Sequence, residues 1–111
     1  MRNSLTALLS LSANAEKKES IYKVPYKHIV VDRIRAHFPD GGLGDITLAL
    51  YYGDMKVFPR RGFIYPTSNV FDERLEAHYF LGDDVLVYWK NVNETTSYRV
   101  VLDLEFEVLE V

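Results

Sequence analysis

The chain contains no cysteine, so it has no disulfide framework, no thiolate nucleophile and no cysteine-based zinc site. Its three histidines, His28, His37 and His78, never fall at the i, i+2 or i, i+4 spacing that lets one element present two ligands to a metal. No serine sits in a G-x-S-x-G elbow. Gly41-Gly42-Leu43-Gly44 lacks the Lys-Ser/Thr that completes a phosphate loop, and no twelve-residue EF-hand pattern occurs. With no motif to carry catalysis, the expectation is a protein that is not an enzyme and needs no cofactor. No apolar run is long enough to cross a bilayer as a helix. Positive charge is also scarce, with 13 Lys and Arg against 16 Asp and Glu, and the basic residues are not interleaved with stacking aromatics. That argues against direct nucleic-acid binding.

What is plentiful is aromatic: eight Tyr, six Phe and one Trp in 111 residues, which suits half-buried pleated surfaces. The clearest pattern is Ser97 to Val111. There Tyr98, Val100, Leu102, Leu104, Phe106 and Val108 take every second place, and Arg99, Asp103, Glu105 and Glu107 fill most of those between. This is the period of a strand with one buried and one wet face. His28 to Phe38 reads as a second long strand, with Val30, Ile34, Ala36 and Phe38 inward and Arg33, Arg35 and His37 outward. Further strands are expected at Asp45 to Gly53, Met55 to Phe58, Val70 to Phe80 and Val85 to Lys90. Pro- and Gly-containing turns separate them. The expectation is an all-β, antiparallel two-sheet sandwich of seven or eight strands, jelly-roll-like, spanning residues 21–111.

Charge is divided along the chain. Residues 1–61 hold ten Lys and Arg against six Asp and Glu, and residues 62–111 hold three against ten, which leaves halves of +4 and −7. Basic and acidic strands lying side by side account for this. The wet face of Arg33, Arg35 and His37 is expected beside that of Asp103, Glu105 and Glu107, in paired strands.

Residues 1–20 differ from the rest. A positive start, the apolar Leu5, Leu8, Leu9 and Leu11, and the triplet Ala13-Asn14-Ala15 imitate a secretory signal. Ser10 and Ser12 break the apolar part, however. The segment is expected to be an N-terminal arm that docks on a partner, or a short helix folded back on the domain. Other candidate partner contacts are Arg60 and Arg61, a conspicuous cationic pair between Pro59 and Gly62, and the outward-facing Tyr51 and Tyr88. Asp40, Asp45, Asp54, Asp83 and Asp84 lie in or near turns. They are read as turn-capping residues, with calcium ligation the lesser alternative. Asn93-Glu94-Thr95 fits the N-glycosylation pattern.

The run Ile29-Val30-Val31-Asp32-Arg33-Ile34 through His37-Phe38-Pro39, Gly44, Tyr52-Gly53, Val57-Phe58-Pro59 and Gly62-Phe63 resembles the small β-sandwich accessory and decoration proteins of tailed-phage and archaeal-virus particles. The segment Asp84 to Thr96 is similar to a strand and loop of the receptor-binding domain of alpha-macroglobulins, without that family's cysteines or lysine-bearing helix. The first resemblance implies a structural protein of the virion that forms homo-oligomers and contacts other particle proteins. The alternative is an extracellular or cell-surface module that binds a carbohydrate or a receptor through its aromatic face.

Overall fold

A computed structural model describes residues 2–80 and 84–110, with the backbone alone at 76–80. All but Asp84 of the expected turn Leu81-Gly82-Asp83-Asp84, the calcium candidate Asp83 included, and the side chain of His78 lie outside the described residues. Eight strands follow in order: β1 (Arg2–Leu11), β2 (Ala15–Lys23), β3 (His28–His37), β4 (Ile46–Tyr52), β5 (Met55–Phe58), β6 (Val70–Phe80), β7 (Asp84–Asn91) and β8 (Tyr98–Glu110). They form two four-stranded antiparallel sheets, in the orders β1-β8-β3-β6 (sheet A) and β2-β7-β4-β5 (sheet B).

β8 behaves as its alternation demands. Tyr98, Val100, Leu102, Leu104, Phe106 and Val108 are all buried. At ~3.3 Å per residue its thirteen residues span about 40 Å, close to the 44 Å long axis of the molecule. It lies between β1 and β3, so both of its borders are hydrogen-bonded. From sheet B, Ile46, Leu48, Leu50, Val85, Val87 and Trp89 meet this layer. With no cross-link available, packing holds the two sheets together, and each fully buried Leu or Ile contributes roughly 1.5–3 kcal/mol. The indole Nε1 of Trp89 is buried in this layer without a hydrogen-bond partner among the described residues.

The arm, and the helix offered in its place, are corrected by the structure. No helix occurs among the described residues, and the stretch supplies two strands of the sandwich, one to each sheet. A boundary at residue 20 would cut through β2. Leu5 is half-buried, and Leu9 and Leu11 are 1% and 0% exposed in the core, while Ser4, Thr6, Leu8 and Ser10 face out. The period is therefore two. Leu8 disguises it, because an apolar residue in the outward row makes Ala7-Leu8-Leu9 read as a continuous run. Asn14 adopts a left-handed φ of 51°, which Asn tolerates better than most residues. It turns the chain from sheet A to sheet B, and its N–H donates to Asn93 O at 2.8 Å.

The inward face of β3 also differs from expectation. Ile29 and Val31 are buried before Asp32, and Ile34 and Ala36 after it, while Val30 is not. The register against β8 steps at this point, from Val31↔Phe106 to Arg33↔Glu105. Asp32 is thus a bulge, which shifts the alternation by one place and leaves the carboxylate on the outer surface. The expected partnership nevertheless holds, with Arg33 opposite Glu105 and Arg35 opposite Asp103. Beyond β5 an isolated bridge joins Ile64 to Leu48. The Phe58-Pro59 peptide is cis.

Candidate interaction surfaces

Strand alternation places Tyr51 of β4 and Tyr88 of β7 on the outer face of sheet B, as expected. Between them in the lattice is Ala49, directly opposite Tyr88 and only 1% exposed although it points outward. A small residue there lets neighbouring rings close over the sheet. Phe63, next to the Ile64 bridge, approaches Tyr88 with ring centroids 5.4 Å apart. Lysine ammonium groups complete the cover, Lys18 Nζ 4.4 Å from the Tyr51 ring centroid and Lys56 Nζ 4.6 Å from that of Phe63. The Tyr88 hydroxyl donates to Glu16 Oε2 at 2.6 Å. Burial and then this hydrogen bond to Glu16 push the phenol up to about 12, with Tyr51 and Tyr65 adding to the effect. Tyr88 therefore stays protonated as a donor, not a base. Tyr65, 65% exposed, is the most accessible large apolar side chain of the group.

Tyr51 and Tyr88 were expected on this face from alternation, whereas Phe63, Tyr65, Lys18 and Lys56 were not. Ala49 was the available signal, because it is the one small residue in an otherwise bulky strand. Arg60 and Arg61 lie on the exposed loop after β5, beyond the hydrogen-bonded strands. Among the leucines, Leu8 is 60% exposed, whereas Leu9 and Leu11 belong to the core and are not available to a partner.

The outer face of sheet A is polar. A shallow depression of about 180 Å³ is lined by Ser4, Thr6, Arg33, Arg35, Asp103 and Glu105. Its charged groups are bound to one another across all four strands. Arg2 of β1 meets Asp32 of β3 at 2.6 Å and Glu105 of β8 at 3.9 Å. Arg33 of β3 grips Asp72 of β6 with Nε and Nη2, at 2.8 and 2.7 Å, and reaches Glu105 at 3.5 Å. Arg35 joins Asp72 at 3.3 Å, and His37 lies 3.8 Å from Asp103. The Thr6 hydroxyl donates to Asp103 at 2.6 Å. The Arg33 hydrogen bonds hold the Asp72 carboxyl at about 2, well below its ordinary range. Opposite charges across the ladder account for the split between the two halves of the chain. The strongest partner of Arg33, however, is on β6 and not on β8.

The described turn aspartates do not gather. Asp45 accepts from the Tyr98 hydroxyl at 2.7 Å and from Asn93 Nδ2 at 3.1 Å, which lowers its carboxyl and raises the phenol. Asp40 accepts from Asn69 Nδ2, and Asp54 lies 3.6 Å from Lys18 Nζ. Among the described residues no three His, Asp or Glu side chains converge on a point that could hold a metal. Asn93 also accepts through Oδ1 from the N–H groups of Thr95 and Thr96. The amide of the N-glycosylation pattern is thus engaged by its own loop.

No family model matches the chain, and no curated protein matches its sequence. Solved structures do share its shape. A chain of the acidic stable capsid structure of Helicobacter pylori bacteriophage KHP30 superposes with a TM-score of 0.59 at 12% identity, covering 100% of this chain and 98% of that one. That likeness is one of fold. Two others superpose more loosely. The crystal structure of FLHE has a TM-score of 0.47 at 8% identity and covers 92% and 96% of the two chains. A chain from Bacillus endospore appendages, described as a novel family of disulfide-linked pili, has 0.41 at 11% and covers 97% and 88%. Among the described residues no helix is long and apolar enough to cross a membrane.

Proposed function

We propose that the chain is a non-enzymatic structural protein of a virus particle, a capsid or tail accessory or decoration subunit that works by contact between its surfaces and its neighbours. The observation that carries this reading is the end-to-end correspondence with a chain of the KHP30 capsid structure, in which each chain accounts for nearly all of the other. The strand orders β1-β8-β3-β6 and β2-β7-β4-β5 support a jelly-roll topology, which recurs in viral shells. The chemistry of the surfaces agrees. Asp45, Asp72, Tyr88 and Tyr98, all with displaced proton affinities, are each bound to a side chain of the same molecule and hold the fold. Homo-oligomer formation and residence in the virion belong to this reading.

A second reading, an extracellular carbohydrate- or receptor-binding module, is favoured by one feature, the ring cluster of Tyr51, Phe63, Tyr65 and Tyr88. Two of those rings already lie under lysine ammonium groups, which leaves less open platform for a sugar. Immunogold labelling of particles from cultures that make the chain separates the two. Label on intact particles is expected. Protein found only free in the medium, with glycan-array binding abolished by Tyr51→Ala or Tyr88→Ala, would transfer the assignment to the second reading.

A further inference from the structure

The four strands that border the two sheets are not built alike. β2 carries Glu16-Lys17-Lys18-Glu19 and a register shift between Ser20 and Tyr22. β5 has four residues and runs into Pro59. β6 carries Asp72-Glu73-Arg74 and breaks register with β3 between Val31 and Arg33. Short length, charge, proline and bulges are the means by which sheets discourage the addition of further strands at their edges. Beyond Arg2, β1 has none of them. From Asn3 to Leu11 it contains no charge, no proline and no glycine. Its register with β8 is unbroken from Arg2↔Glu107 to Leu11↔Tyr98. It ends the order of sheet A, so its other border faces no strand among the described residues. Leu8, in its outward row, is 60% exposed.

We propose that β1 is a docking edge for β1 of a second copy. The two strands run antiparallel about a two-fold axis at Leu8, and the two copies of sheet A join into one sheet of eight strands. The side chains themselves select this occupant. About that axis Leu8 opposes Leu8, Thr6 opposes Ser10, Ala7 opposes Leu9 and Leu5 opposes Leu11. On the outer face an apolar residue thus meets an apolar one and a hydroxyl meets a hydroxyl, while on the inner face Leu9 and Leu11 stay in the core of their own copy and set no charge or polar group against the partner strand. Arg2, the only charge of the strand, lies beyond the paired stretch, so no like charges are opposed. An axis two residues earlier, at Thr6, would set Leu8 against Ser4 and Leu9 against Asn3. An isologous contact of this kind closes at two copies. The neighbouring border, β2, is guarded by its charges, so the joint is made through sheet A. The proposal does not depend on the particle reading, and a dimer in solution tests it alone.

Light scattering on the full chain is expected to give the mass of two copies at micromolar concentration. Leu8→Lys sets two ammonium groups opposite each other and should weaken the dimer at least about tenfold. Because Leu8 is exposed, its circular dichroism spectrum and melt serve to confirm that the variant folds. In this cysteine-free chain Leu8→Cys gives a second readout. Opposed residues in antiparallel strands have Cα atoms about 4.5–5.5 Å apart, within disulfide range. The variant should therefore cross-link under mild oxidation far faster than Val92→Cys, an exposed loop position. Three results would each overturn the proposal: a single-chain mass at every concentration, a dimer indifferent to Leu8→Lys, or Leu8→Cys cross-linking no faster than the control.

Discussion

Asn91 shows how much one side chain can organise. It ends β7 on the inward row and is 1% exposed, the one buried polar residue among the described side chains. Its Nδ2 donates toward Leu11 O, Ser12 O and Thr96 O at 3.2, 3.3 and 2.9 Å, and its Oδ1 accepts from Asn93 N–H at 3.0 Å. The end of β1 and the β7–β8 loop are thereby tied to one amide. Asn91→Leu keeps the branched shape of the side chain but strands those carbonyls and the Asn93 N–H. Leaving buried polar groups unsatisfied costs about 1–3 kcal/mol, and a urea denaturation midpoint lowered to match is the expected result. Little of this was legible beforehand. Asn91 opens a polar stretch, Asn91 to Thr96, and local composition reads it as loop. Its place on the inward row follows from the phase of Val85, Val87 and Trp89, but two of its three acceptors belong to residues 79 and 80 positions away.

At the scale of the element, β3 is the instructive strand. Its pairing with β8 was readable from charge, because two wet faces of opposite sign are most stable side by side. Its inward face was readable only after Asp32, since a bulge changes phase without changing composition. The partner on its other side was not readable at all. Alternation can place Asp72 on the wet face of its own strand, but it holds no information on which strand lies next to it. This pair makes a prediction about acid. The Asp72 carboxyl is held at about 2, below its ordinary value of 3.8, by hydrogen bonds from Arg33 and then by the charges of Arg33 and Arg35. A lowered carboxyl contributes stability above its unfolded value and loses that contribution as pH falls toward its folded one. In melts taken from pH 7 to pH 2, Asp72→Asn should be the less stable protein at neutrality. The gap should narrow between about pH 4 and pH 2. A gap that stays constant across that window would show that the carboxylate charge is not what holds β6 to β3.

For the molecule as a whole, the fate of the first strand is decisive. An arm could be removed and leave a folded domain, whereas a strand of the sandwich could not. Deleting residues 2–11 would take Leu9 and Leu11 from the core and expose a border of β8, whose residues from Tyr98 to Glu107 now pair with β1. Replacing even one buried Leu with a smaller residue typically costs 2–5 kcal/mol, against a total of about 5–15 for a small domain. The truncated chain is therefore expected to lose its cooperative thermal transition by circular dichroism. A sharp melt near that of the parent would restore the arm.

The place of β8 between β1 and β3 also sets the order in which the protein can be made. Sheet A holds strands from both ends of the described chain, and β8, which joins them, is the last of the eight strands to be synthesised. Until Tyr98 to Glu110 has left the ribosome, β1 and β3 have no strand to join them, and Leu9, Leu11, Ile29 and Ile34 have no complete core to enter. Completion of sheet A thus waits for the β8 segment to emerge, because that segment alone borders both β1 and β3.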